Sequence, residues 1–187
     1  MEPSWWQQIG KTVASEFSDV SDLDQATRIV VRLMLAAVLG GVLGFEREQH
    51  GKAAGVRTHM LVAMGSALFV LTCKQAGISD ADLSRVIQGI VAGVGFLGAG
   101  TILKDSDENK VKGLTTAAGI WLTAAIGVAA GLGRESTAVL STALALVIFS
   151  LAPFITRLLD KPQPPEDGDG DSQPPQHPTR KKRPQEE

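Results

Sequence analysis

The residues best suited to chemistry lie in one stretch, GFEREQHGKAAGVRTHMLVAMGSALF, residues 44–69. Glu46, Arg47 and Glu48 end one apolar run; Arg57, Thr58 and His59 begin the next, across a short loop. All six are therefore expected at the same end of two neighbouring helices. Charge at the end of an apolar helix is costly to bury unless it is paired, and the first pairing to expect is Glu46 with Arg57. Two readings follow: a solvated cluster that only sets which end faces water, or a polar site at the mouth of a helical bundle. His59 has only His50 nearby, so an interfacial or packing histidine is a simpler reading than a metal ligand.

Other chemistry is excluded or weak. No nucleophile, base and orienting group come together, so an enzyme is not expected. Cys73 is the only cysteine, which removes disulfides and cysteine-rich metal sites within one chain and leaves a buried, inert thiol. The string GVGFLG (Gly93, Gly95, Gly98) matches a dinucleotide fingerprint, but that motif needs a strand before it and a helix after it. Here it sits inside an apolar helical run, where the glycines through Gly100 suggest an alternative, an unwound segment whose carbonyls line a cavity. The alternating Asp167, Asp169 and Asp171 lack the glycine and glutamate of a calcium loop at Ser172 and Pro178. A formal net charge of -2 argues for no nucleic-acid partner. No cofactor is expected. Mg²⁺ is kept open as a transported ion: Glu46 and Glu48 lie at one edge, and Gln88, Thr101, Thr115 and Thr116 offer only weak ligands for an ion that prefers carboxylates.

The elements that position these residues follow from the distribution of apolar residues. Residues 27–159 are dominated by Ala, Val, Leu, Ile and Gly. A helix needs about 20 apolar residues to cross a bilayer, and five stretches approach that length: about 27–45, 58–76, 85–103, 113–132 and 136–158. The expected fold is an all-α membrane protein, with about five transmembrane helices in one bundle. Arg28 and Arg32 share a face in the outer half of the first span and can reach the headgroups. Residues 1–26 form an amphipathic segment in which Trp5, Ile9, Val13, Phe17 and Val20 recur at helical spacing, as in a helix lying in the membrane interface. This segment has no secretory-signal pattern, and the first strongly apolar run, which follows it, is expected to be retained. Ser21 and Asp24 have capping-box spacing ahead of the first span, and Pro153 is expected to kink the last. Residues 160–187 read as a disordered, Pro-rich charged tail.

Glycines recur four apart at Gly40/Gly44, Gly89/Gly93 and Gly127/Gly131. Such pairs let helix backbones approach closely, either within the chain or between two copies as a homo-oligomer. Arg47, Lys52, Arg57, Lys104, Lys110, Lys112, Arg157 and Lys161 fall at one set of span ends; Lys11, Arg28, Arg32, Lys74, Arg85 and Arg134 fall at the other. The positive-inside bias places the N-terminus outside and the C-terminus in the cytoplasm.

Three blocks carry a resemblance over roughly residues 28–158. The pattern ERExxxKxAGxRTHxLVxxGSALF, then Arg85 with IxGIVAGVGFLGAGTIL, then GLTTAAGIWLTAAIGVAAGLG resembles the MgtC/SapB family of bacterial inner-membrane proteins. The resemblance implies a link to magnesium limitation and, in pathogens, to virulence. It also implies non-catalytic regulation through a membrane-protein partner, with Mg²⁺ transport as the alternative. It singles out Glu46, Arg47, Gly55, Arg57 and Thr58; Arg85, Gln88, Gly95, Phe96, Gly98 and Gly100; and Gly113, Leu114, Thr115, Thr116 and Trp121. Longer relatives carry a folded cytoplasmic domain after the spans; this chain is similar to the short SapB-like branch.

Overall fold

The structure, a computed structural model, describes residues 4–16, 22–104 and 111–159, and the side chains of these apart from 103–104 and 152–159. The helices are α1 (Trp5–Glu16), α2 (Leu23–Gln49), α3 (Val56–Gln75), α4 (Asp80–Ala99), α5 (Leu114–Gly131) and α6 (Glu135–Leu159). Between α4 and α5, a two-residue antiparallel ribbon pairs β1 (Leu103–Lys104) with β2 (Val111–Lys112) in the register Leu103↔Lys112. It is the one departure from the expected all-helical chain among the described residues.

Four helices, α2 to α5, are long and apolar enough to cross a membrane. The fifth, α6, is 25 residues long and apolar through its described part. At 1.5 Å per residue, even the 18 residues of α5 span about 27 Å, close to the roughly 30 Å hydrocarbon core. The outward face of α2 shows why lipid must be the solvent. Val31, Met34, Val38, Val42 and Phe45 recur at helical spacing, and all are exposed. A continuous apolar stripe of this kind on a chain in water would drive association.

Short connections make neighbouring spans antiparallel. The C-terminal end of α2 therefore lies with the N-terminal ends of α3 and α5 at one end of the bundle. α3 is the central element and packs on both α2 and α5; α4 lies mainly on α5, and α6 on α5 and α2. The core is built from small residues: Ala36, Ala63, Ala67, Ala130, Ala138 and Ala145, with Leu39, Leu43, Ile126 and Phe149. Small side chains bring the helix axes close, so dispersion and Cα–H···O contacts act over a long seam.

Several details correct the sequence reading. The cap of α2 is Asp22, whose side chain accepts from the Asp24 backbone N–H at 3.3 Å; Ser21 lies outside the described residues. α4 stays helical through Gly93, Gly95 and Gly98, so the third span is not unwound. α6 runs unbroken past Pro153, which is compatible with the bend expected there. Of the amphipathic segment, α1 carries Trp5, Ile9 and Val13, all exposed, with Trp5 and Trp6 stacked at 3.9 Å; Phe17 and Val20 lie outside the described residues, as does the tail 160–187. Arg28 pairs with Asp24 at 2.9 Å in the open. Arg32 turns inward instead: it donates to the Gly131 carbonyl at 3.4 Å and lies 3.6 Å from Glu135. It thereby caps the negative end of the α5 dipole and ties the α5–α6 turn to α2.

Candidate functional site

The site forms where α2 ends and α3 begins. Arg47 is 4% exposed, unusual for an arginine in the last turn of a helix. Its guanidinium lies 3.8 Å over the ring of Phe149 on α6, a cation–π contact that gains strength away from water. Nη2 donates to Glu46 Oε1 at 2.8 Å and Nε to Oε2 at 2.5 Å. Adjacent helix residues do not normally face each other; this pair meets because Arg47 folds toward α6 and Glu46 follows it. The expected Glu46–Arg57 pair is therefore overturned. Arg57 points outward and is exposed; two residues before buried His59, it lies about half a helix turn round from the buried face of α3. His50, from the exposed side, lies 3.1 Å from Glu46 Oε1.

Glu48 has a separate role. Its Oε2 accepts the backbone N–H of Val56 at 2.9 Å, satisfying one of the free donors at the start of α3. The α2–α3 loop folds back to allow this: Gly51 takes φ +63, and the Gly44 backbone approaches Gly55 and Val56 so closely that a Cβ there would sit 2.6 Å from Val56 Cα.

His59, one turn into α3, is fully buried. Its Nδ1 is 3.0 Å from the Gly55 carbonyl. The other nitrogen, Nε2, faces α5 over Gly119, where a built methyl would lie 3.7 Å from it and 3.4 Å from Phe149. Buried Thr116 and Thr123 lie on the same face of α5, and the Thr123 hydroxyl donates to the Gly119 carbonyl at 2.8 Å. One acid, one guanidinium and one imidazole are thus held among four helices. Glu46 is already claimed by Arg47, so the arrangement suits charge balance and proton exchange better than chelation of a hard cation. Among the described residues, no three His, Cys, Asp or Glu side chains are grouped to hold a metal.

The remaining sequence candidates separate into three sets. Gly98 faces Ala117 of α5, where a Cβ on Gly98 would lie 3.4 Å from the alanine Cβ, while Gly100 caps α4 and Gly113 caps the start of α5. Gly113 has φ +95 and lies against the Thr101 carbonyl, so this turn accepts no side chain. Thr58, Gln88, Gly93, Gly95, Phe96, Leu114, Thr115 and Trp121 face outward. Arg85 is at the other end of the bundle, beside Asp82 at 3.7 Å. Gly119, Thr123 and Phe149 were missed. The first two carry a signal in the sequence: small residues four apart at 119, 123, 127 and 131 extend the Gly127/Gly131 pair toward the site. Phe149 carries none, being one apolar residue in an apolar helix.

A polar cluster sealed at one end of a multi-pass, small-residue helical bundle defines an integral membrane protein. The chain belongs to the MgtC family, whose model matches residues 33–158. It is 42% identical over 141 residues to YhiD of Escherichia coli K12, named as a candidate magnesium transporter, covering 71% of this chain and 64% of that one. It is 47% identical over 130 residues to SrpB of Synechococcus elongatus, covering 64% and 71%. It is 41% identical over 125 residues to MgtC of Brucella abortus strain 2308, covering 67% and 51%. The chain thus spans just under two-thirds of the Escherichia coli relative. No solved structure matches it.

Proposed function

We propose that this protein is a non-catalytic regulator of the bacterial inner membrane, linked to magnesium limitation and acting through contacts with other membrane proteins. The observation that carries this reading is the capture of Glu46 by Arg47. A Mg²⁺ pathway needs carboxylates or ordered carbonyls free to replace or bind the ion's waters; here the acidic group at the mouth is held by a buried cation. The outward apolar faces, including Phe96 at 81% exposed, supply surface for partner helices. The end bearing Glu46 and His59 is placed in the cytoplasm, with the N-terminus outside, by the Lys and Arg bias.

The second reading is a Mg²⁺ carrier, favoured by the name of the Escherichia coli relative. Purified protein in liposomes with a Mg²⁺-sensitive dye separates the two. No flux above that of empty vesicles is expected; flux abolished by Glu46→Gln would establish the carrier. Labelling single cysteines at Lys52 and Asp80, in a Cys73→Ser background, checks orientation: Asp80 should label from outside and Lys52 only after permeabilisation.

A further inference from the structure

His59 holds a nitrogen that the packing does not use. A carbonyl only accepts, so the hydrogen bond to Gly55 O puts the ring proton on Nδ1 and leaves Nε2 of the neutral imidazole a bare acceptor. No group among the described residues donates to Nε2, although the residue is fully buried. Buried polar atoms are rarely left this way, and an ionisable side chain inside a membrane bundle marks a functional position by default. Nε2 faces the space over Gly119, where a built Cβ would lie 3.7 Å from it and 3.4 Å from Phe149, so a proton can be taken up there without a clash.

We propose that His59 Nε2 is a proton-binding site, and that the Arg47–Glu46 pair and its contact with Phe149 respond to its occupancy. The charged and titratable groups around it are few. On α2 they are Glu46 and Arg47, with His50 and Glu48 beyond them at the exposed end; on α3, Arg57 points outward. α5 contains no titratable residue. The described part of α6 contributes Phe149 here, with Glu135 at the opposite end. With the imidazole neutral, Glu46 and Arg47 cancel. A bound proton gives the cluster a net positive charge, repels the guanidinium and makes His59 a second claimant on the one carboxylate. Arg47 then loosens from Glu46 and Phe149, weakening the tie between α2 and α6. The His59 carbonyl is also a point of close approach by α2, where a Cβ on Gly40 would lie 2.5 Å from it, so a shift of α3 here is felt by both helices. This inference rests on the site and holds for a regulator or a carrier alike; its failure would leave the flux result unaffected.

The test uses the full chain in lipid nanodiscs, labelled with ¹⁵N-histidine, with His50→Gln and His177→Gln for assignment. At about pH 8 the His59 Nε2 signal should be that of a non-protonated nitrogen, converting to the imidazolium form as the pH is lowered toward about 5. Over the same interval the wild-type thermal midpoint should fall by roughly 2–4 °C more than that of His59→Gln. Should His59→Gln not fold, Phe149→Leu serves: the pH-dependent fall should shrink while the His59 titration persists. A ring that stays neutral at the acid end, an Nε2 already protonated at the alkaline end, or an unaltered thermal profile in the folded variant would each overturn the proposal.

Discussion

Three glycine pairs that look alike in the sequence behave in two opposite ways in the fold. Gly127 and Gly131 on α5 lie against the backbone of α3, at the carbonyls of Ala63 and Ala67. Gly40 and Gly44 on α2 close on α3 from the other side. A Cβ on Gly89 or Gly93 of α4 would meet nothing within 4 Å among the described residues. They instead line an open apolar groove of about 690 Å³, with Gly65, Phe69, Ile90 and Leu97. The first set makes α2, α3 and α5 one tightly seamed unit. The second leaves α4 with a face that the other described residues do not fill. Four-residue spacing thus marks a helix face fit for close approach, and only the neighbouring helices settle whether that approach occurs within the chain.

Substitutions can break or sharpen this contrast. The largest effect is expected for Gly127→Leu, whose Cβ would run into the Ala63 carbonyl; backbone cannot yield as a side-chain tip can, so a loss of more than about 3 kcal/mol is expected. It would show as aggregation on size exclusion in detergent, and a monodisperse, thermally normal variant would remove the tight seam. Next comes Arg47→Ala, which strands the half-buried Glu46 and should cost roughly 3 kcal/mol. A double-mutant cycle by thermal unfolding should give coupling for Glu46 with Arg47 and additivity for Glu46 with Arg57; the reverse pattern would restore the pairing expected from sequence. Glu48→Ala removes the cap of α3 and should cost about 1 kcal/mol, with faster amide exchange confined to the first turn of that helix. The smallest effect belongs to Gly93→Ala, expected within about 0.5 kcal/mol of wild type. A large loss there would mean that the α4 face is filled after all, and cross-linking across dilution would then show whether a second copy fills it.

What could be read in the residues differs from element to element for definite reasons. The spans could be read because transfer of an apolar run into lipid depends on its length and composition, whatever its neighbours. The gathering of Glu46, Arg47, Glu48 and His59 at one end could be read because a short loop forces two helices to be antiparallel. Which base Glu46 meets could not, because that depends on how α2 and α3 are rotated about their own axes. Rotation turns Arg47 toward α6 and Arg57 toward the outside.

The amino-acid sequence alone determined that this is a multi-pass helical membrane protein with a charged cluster at a span end. Both follow from local energetics: hydrophobic length and the cost of burying charge. Only the tertiary structure decided that Arg47 is the buried partner, that Phe149 from a helix some hundred residues on roofs it, and that His59 is sealed over Gly119. Those outcomes depend on which helix faces lie opposite one another. That is set by summed packing across the bundle, and no short stretch of sequence carries it.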